Sequence, residues 1–223
     1  RAAVAARDRE VRPAAALAAV PYPDAAVAML VDMSIRAPAG QPRRYFESEA
    51  GRGVSAAGAW VDVGGRPTLF VVVDLQSGGW DGSPQDQLRT LQGSVVRARV
   101  LAELGESTAP LVIGGDFNLV GSRQPLFQLS RGLDVDGSDL VPADARRLGE
   151  RTYATWRNPR DRFTPGRLDF MLVSDAALTT TGAFVLAPED LDDAALERLG
   201  LDRSGMYRSL SDHVPLFADV RLP

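Results

Sequence analysis

Cysteine is absent from the chain. That excludes disulfides, thiolate metal sites and a cysteine nucleophile, though it leaves the compartment open. Lysine is absent too: all 25 basic residues are arginine. Any phosphate clamp must therefore use the bidentate guanidinium fork, and no lysine can act as a nucleophile. An all-arginine set is the mark of coding bias in a GC-rich genome and points to a bacterial source, cytoplasmic or secreted. Histidine occurs once, at position 213. No apolar run approaches the roughly 18 residues of a membrane span. The first residues are rich in Arg and Ala and lack the apolar core of a signal peptide. The chain starts on Arg1, as a processed or trimmed product would. A net charge of −4 and a pI near 5.1 give no strongly basic footprint for nucleic acid, although a local arginine patch remains open.

What is present describes an ordinary globular domain. The 223 residues, 45% of them apolar, suffice for one domain with a sizeable core. Residues 1–12 read as a strand or a frayed helix, 24–31 as a strand, and 37–53 as an irregular excursion rich in Pro, Gly and Arg. Residues 59–63 and 68–75 form a hairpin across Gly64-Gly65, and the second strand is apolar on both faces, as in a sheet centre. A glycine-rich loop over 77–84 precedes a helix over 85–104, where Leu88, Leu91, Val95, Val96, Val100 and Leu101 recur at helical spacing. Strands are expected at 111–118, 153–156, 168–173, 183–186 and 214–222, short helices at 125–129 and 191–199, and an acidic loop at 133–149. Many strands with few helices suggest α+β layers, sheets covered by helices.

The chemistry collects at strand ends. Leu111-Val112-Ile113-Gly114-Gly115-Asp116-Phe117-Asn118 runs from a buried strand through two glycines to a carboxylate and an amide. If the backbone stays extended there, Asp116 and Asn118 point to one side. They then form either a base or metal ligand beside an orienting amide, or simply a surface turn. Asp169 interrupts the apolar strand Leu168–Val173, and a buried carboxylate costs several kcal/mol unless it is partnered. His213 follows Asp212 and leads directly into a strand. A carboxylate bonded to that imidazole would fix its tautomer and raise its basicity. Asp74 ends the strand Val71-Val72-Val73 ahead of the glycine-rich loop.

The ordered set GGDFN at 114–118, RLDFMLVS at 167–174 and SDHVP at 211–215 resembles the endonuclease/exonuclease/phosphatase superfamily over residues 59–222. That resemblance implies a four-layered α/β sandwich, two mostly antiparallel sheets packed face to face with helices outside. It implies a phosphoesterase acting by in-line attack of water, with Mg²⁺ or Mn²⁺ bound by hard oxygen ligands. By the same resemblance Asp116 orients or deprotonates the water, and Asn118 holds that water or a phosphate oxygen. His213 stabilises charge on the scissile phosphate, Asp169 bonds that histidine, and Asp212 ligates the metal together with Asp116 and Asn118. A catalytically inert member serving as a binding or scaffold module is the competing reading.

Two departures accompany the match. The strand that commonly ends in His-Leu ends here in Asp74-Leu75, which the resemblance places in the same catalytic cleft as Asp116, Asn118 and His213, and no Gln-Glu pair of the kind that supplies a metal-binding Glu lies upstream of Asp74. The expectation is that the chain starts inside a single domain, with the opening strands of the first sheet missing. The expected partner of this monomer is a phosphate ester: nucleic acid, lipid headgroup or small molecule. Arg123, directly after the Asp116 strand, is the first candidate to contact it, and Arg157, Arg160, Arg162 and Arg167 are candidates for a phosphate-binding rim. Trp156 and Trp80 are candidates for ring contacts, with packing against the protein the simpler expectation for each. A Ser-His-Asp hydrolase is disfavoured, since no Gly-x-Ser-x-Gly elbow occurs.

Overall fold

The computed structural model describes residues 27–32, for which only the backbone is considered, and residues 54–149, 152–158, 163–203 and 211–223. The readings of 1–12 and 37–53, and Arg160 and Arg162, lie outside them.

A six-stranded sheet holds β1 (Val27–Asp32), β2 (Ser55–Val63), β3 (Arg66–Asp74), β4 (Leu111–Asp116), β7 (Asp169–Val173) and β5 (Val141–Pro142), in that spatial order. A three-stranded sheet holds β6 (Arg146–Arg147), β8 (Thr179–Val185) and β9 (Leu216–Arg221). Both sheets are mixed. Most pairings are antiparallel, but β3–β4 and β6–β8 run parallel. The β3–β4 pair needs a crossover, which helix α1 (Pro84–Leu104) supplies. Ser83 caps α1, its hydroxyl accepting the Asp86 N–H, and Pro84 follows where its missing N–H costs nothing.

Alternation along the strands sorts residues into layers. Leu69, Val71, Val73, Leu111, Ile113 and Leu172 are buried in one cluster with Val96 and Val100 of α1 and Leu126 and Leu129 of α2 (Gln124–Ser130). Val112 and Val173 face the other way, where Phe70, Met171, Val220 and Leu222 join them. Helices thus cover one face of the large sheet, and β9 of the small sheet meets the opposite face. This is the expected sandwich of sheets and helices.

Several local expectations change. Residues 153–156 are not a strand; only Trp156 pairs, in isolated bridges to Gly166 and His213. The strand expected at 183 begins at Thr179, because Thr179, Thr180 and Thr181 are exposed and show no apolar pattern to read. The acidic stretch 133–149 contains β5 and β6, each only two residues long. The last short helix, α3 (Asp193–Leu199), starts later than expected, capped by Asp192 and preceded by a 3₁₀ turn at Pro188–Asp190.

Candidate active site

Sheet register builds the site. Asp74 pairs with Asp116 across β3 and β4, and Asp116 pairs with Asp169 across β4 and β7. Laterally paired residues share a face, so three carboxylates stand in one row at the rim of the large sheet. Like charges side by side are unfavourable, and a row of them at strand ends needs cations or proton donors to persist.

His213 supplies one donor. Its Nδ1 lies 2.8 Å from Asp169 Oδ2, and its Nε2 lies 3.7 Å from Asp116 Oδ2. Trp156 holds this segment in place through its bridge to His213, with its indole N–H donating to Asp212 Oδ2 at 2.8 Å. The hydrogen bond to Asp169 raises the His213 pKa above 6.5, against the pull of burial and with help from the Asp169, Asp116 and Asp212 charges. Burial pushes the Asp116 carboxyl up to about 6; the Asn118 backbone N–H works against the rise and Asp169 adds to it. Burial also raises Asp74, with His213 lowering it and Asp169 raising it. The β3–β4 register sets Asp74 beside Asp116, where it feels the His213 and Asp169 charges.

Asp116 and Asn118 converge, but not by staying extended. The strand ends at Asp116, and Asn118 takes a left-handed backbone, φ 49°. Asn is among the few residues that adopt it readily. The turn lets the Asn118 backbone N–H donate to Asp116 Oδ1 and its side-chain Nδ2 donate to Asp116 Oδ2, both at 2.8 Å. Nδ2 also donates to the Leu75 carbonyl at 2.8 Å. Gly115, φ 128°, is obligatory: a Cβ there would lie 2.1 Å from the Val73 carbonyl oxygen.

Asp116, Asp169 and His213 bring potential ligand atoms within 4.8 Å of one another. Asp212 is not in that group; its Oδ2 accepts from the Trp156 indole N–H. The two carboxylates suit a hard divalent ion, and the imidazole a borderline one. Among the arginines, Arg157 is half-exposed, 3.9 Å from Glu189. Arg123 opens α2. Arg167 is turned inward: it donates to the Ala143 carbonyl and lies over the rings of Tyr153 and Phe170. Trp80 does not pack away as expected; it is 71% exposed.

Sequence reasoning missed the polar group beneath the site. Asp86, Arg89 and Gln92 are all buried on α1. Asp86 accepts the Gly82 and Ser122 backbone N–H groups and pairs with Arg89, which grips the carbonyls of Gln76 and Gly78. The signal was available: these three residues share the helical stripe that carries Val96.

The endonuclease/exonuclease/phosphatase family matches residues 11–213. The chain belongs to that family. Nocturnin of Xenopus laevis is 27% identical over 158 residues, 70% of this chain, which spans 37% of that relative's length. The catalytic domain of human Nocturnin, solved with a bound sulfate anion, shares the fold with a TM-score of 0.55 at 19% identity, over 91% of this chain and 62% of that one. D. rerio TDP2 complexed with a single-strand DNA product gives 0.53 at 16% identity, over 89% and 69%. Family membership agrees with the resemblance carried by GGDFN, RLDFMLVS and SDHVP.

Proposed function

We propose that this family member is a divalent-metal-dependent phosphoesterase that hydrolyses phosphodiester or phosphomonoester bonds by in-line attack of water. The observation that carries the reading is the convergence of Asp116, Asn118, Asp169 and His213 at one strand-end cleft, with imidazole and carboxylate 2.8 Å apart. Before a cation binds, burial holds the Asp116 carboxyl up at about 6, in the range of a general base working near neutral pH, and a cation beside it would lower that value. Asp116 takes the proton of the attacking water as the oxygen–phosphorus bond forms and the bond to the leaving oxygen breaks. Asn118 fixes the direction of that carboxylate. His213, kept protonated by Asp169, donates to a phosphoryl oxygen as charge builds on it. Arg123 and Arg157 are the guanidinium groups proposed to meet the substrate, with Trp156 framing His213. Arg167, spent on Ala143 and two rings, supports them from inside.

Asp116 and Asp169, whose ligand atoms lie within 4.8 Å of one another, would hold the ion. Bound there, Mg²⁺ or Mn²⁺ supplies Lewis-acid polarisation of the phosphoryl oxygen. Relatives solved with sulfate or with a DNA product support a phosphate-bearing substrate.

Asp74 favours a second reading, a degenerate member that binds without turnover. A carboxylate where relatives commonly carry histidine repels phosphate. Hydrolysis of bis-p-nitrophenyl phosphate and p-nitrophenyl phosphate with Mg²⁺ or Mn²⁺ separates the two. Metal-dependent turnover that Asp116→Ala abolishes supports the enzyme. Binding of product analogues without turnover supports the scaffold.

A further inference from the structure

The peptide unit between Leu75 and Gln76 is shared by the site and by helix α1. Its carbonyl, on Leu75, accepts from Asn118 Nδ2 at 2.8 Å. Its N–H, on Gln76, donates to Gln92 Oε1 at 2.7 Å. A planar trans peptide points these two groups in opposite directions, so turning one turns the other. Leu75 is tied to the catalytic strand a second time, its N–H donating to the Asp116 carbonyl at 2.9 Å. Both Asn118 Nδ2 bonds end on acceptors, Leu75 O and Asp116 Oδ2, which fixes the amide's orientation. Gln92 is 7% exposed and Asn118 6%, so water is a poor substitute for either partner. Asn118 also holds a left-handed backbone, a conformation that persists where surrounding bonds impose it.

We propose that Gln92 is a positioning residue for hydrolysis. It acts through the Leu75–Gln76 peptide to set the Asn118 amide against the Asp116 carboxylate. Arg89 braces the same segment from the next carbonyl, Gln76 O, at 2.6 Å. Without the Gln92 acceptor the peptide keeps one of its two anchors, the Leu75 carbonyl turns away from Asn118 Nδ2, and Asp116 loses the aim of that side-chain donor while keeping the Asn118 backbone N–H. Gln92 touches neither substrate nor metal in this account, so its loss should appear in turnover and not in substrate affinity. This rests on the phosphoesterase reading for its kinetic consequence, but the hydrogen-bond relay itself does not.

The test uses the full chain and four variants: Gln92→Met, Gln92→Glu, Asn118→Ala and the Gln92→Met/Asn118→Ala pair. With bis-p-nitrophenyl phosphate and Mn²⁺, Gln92→Met should lower kcat about tenfold, as misplaced catalytic groups do, and leave KM within about twofold. Gln92→Glu keeps an acceptor oxygen and should recover most of the loss. In the Asn118→Ala background, Gln92→Met should cost less than about twofold more, since coupled residues are not additive. A readout independent of turnover is hydrogen exchange of the Asn118 side-chain amide, assigned as the ¹⁵N–¹H₂ pair that vanishes in Asn118→Ala. Its exchange should speed up in Gln92→Met and slow again in Gln92→Glu. If Gln92→Met does not fold, Gln92→Asn withdraws the same oxygen by one methylene and takes its place. Unchanged Asn118 exchange, or kcat losses that multiply in the double variant, overturns the relay. A wild-type chain without hydrolysis overturns the phosphoesterase reading, and the exchange measurement then still decides the relay.

Discussion

Replacing Asp169 with asparagine removes one charge and changes little else. The side chain sits 2.8 Å from His213 Nδ1 and each partner is less than a third exposed, so solvent screens the pair only partly. A hydrogen bond to a charged group contributes about 1.5–3 kcal/mol and one between neutral groups about 0.5–1.5. The amide oxygen of the substituted side chain can still accept from the ring N–H, so the loss is the difference, about 1–1.5 kcal/mol. If His213 must carry its proton onto the phosphoryl oxygen, kcat should fall roughly five- to tenfold, at about 1.4 kcal/mol per decade. The second assay is direct, because the chain has one histidine and its ring signals need no assignment. In metal-free wild-type protein His213 should titrate above 6.5, since its bond to Asp169 outweighs burial. In Asp169→Asn the titration should move down, burial being opposed only by a neutral hydrogen bond and the more distant Asp116 and Asp212. An unchanged His213 titration, or an unchanged kcat, would refute the reasoning.

The metal-free protein should lose stability as pH rises. Asp116 has a folded pKa of about 6 against an ordinary 3.8, so between those values the folded state holds the extra proton and stability falls with pH. Asp74 acts in the same direction, and His213 extends the loss above 6.5 as its own raised pKa is passed. Thermal melts in chelator from pH 4 to pH 8 should show the decline, and Asp116→Asn should flatten its lower part. Mg²⁺ or Mn²⁺ should raise Tm by mass action: about 2.7 kcal/mol at a hundredfold excess over Kd, or roughly 5–10 °C for a domain of this size. An absent shift, or one that Asp116→Asn leaves intact, counts against the ion site. Asp74→His removes a repelling carboxylate and adds a donor, so turnover should rise about tenfold, about 1.4 kcal/mol. A variant with no gain on either monoester or diester leaves Asp74 without blame for any weakness of the enzyme.

Much of the candidate site was legible because its polar residues interrupt patterns that are otherwise uniform. Asp169 stands out in Asp169-Phe170-Met171-Leu172-Val173 only because its neighbours are apolar, and its partner followed from there being a single histidine. That Asp74 comes beside Asp116 was expected from the resemblance, which sets their strands together; its row with Asp169 was not, because register across three strands is a long-range property. Extended geometry at Asn118 was the wrong premise for the right neighbour. The turn depends on Gly115 meeting Val73, a contact between strands. The bond from Trp156 to Asp212 was not legible, because it depends on a segment with no strand pattern of its own. Gln92 stayed hidden because a polar residue on an apolar helical stripe reads as an exception until its partner, a backbone N–H from a loop, is seen.

In the proposed reaction, water deprotonated at Asp116 attacks phosphorus in this cleft. Hydrolysis in ¹⁸O-water with Mn²⁺ present, followed by ³¹P NMR of the product, tests it most directly. One ¹⁸O should enter the phosphoryl product per bond cleaved, at a rate that Asp116→Ala and His213→Ala each reduce by orders of magnitude. Label in the alcohol product instead, or label incorporation that survives both substitutions, would contradict it.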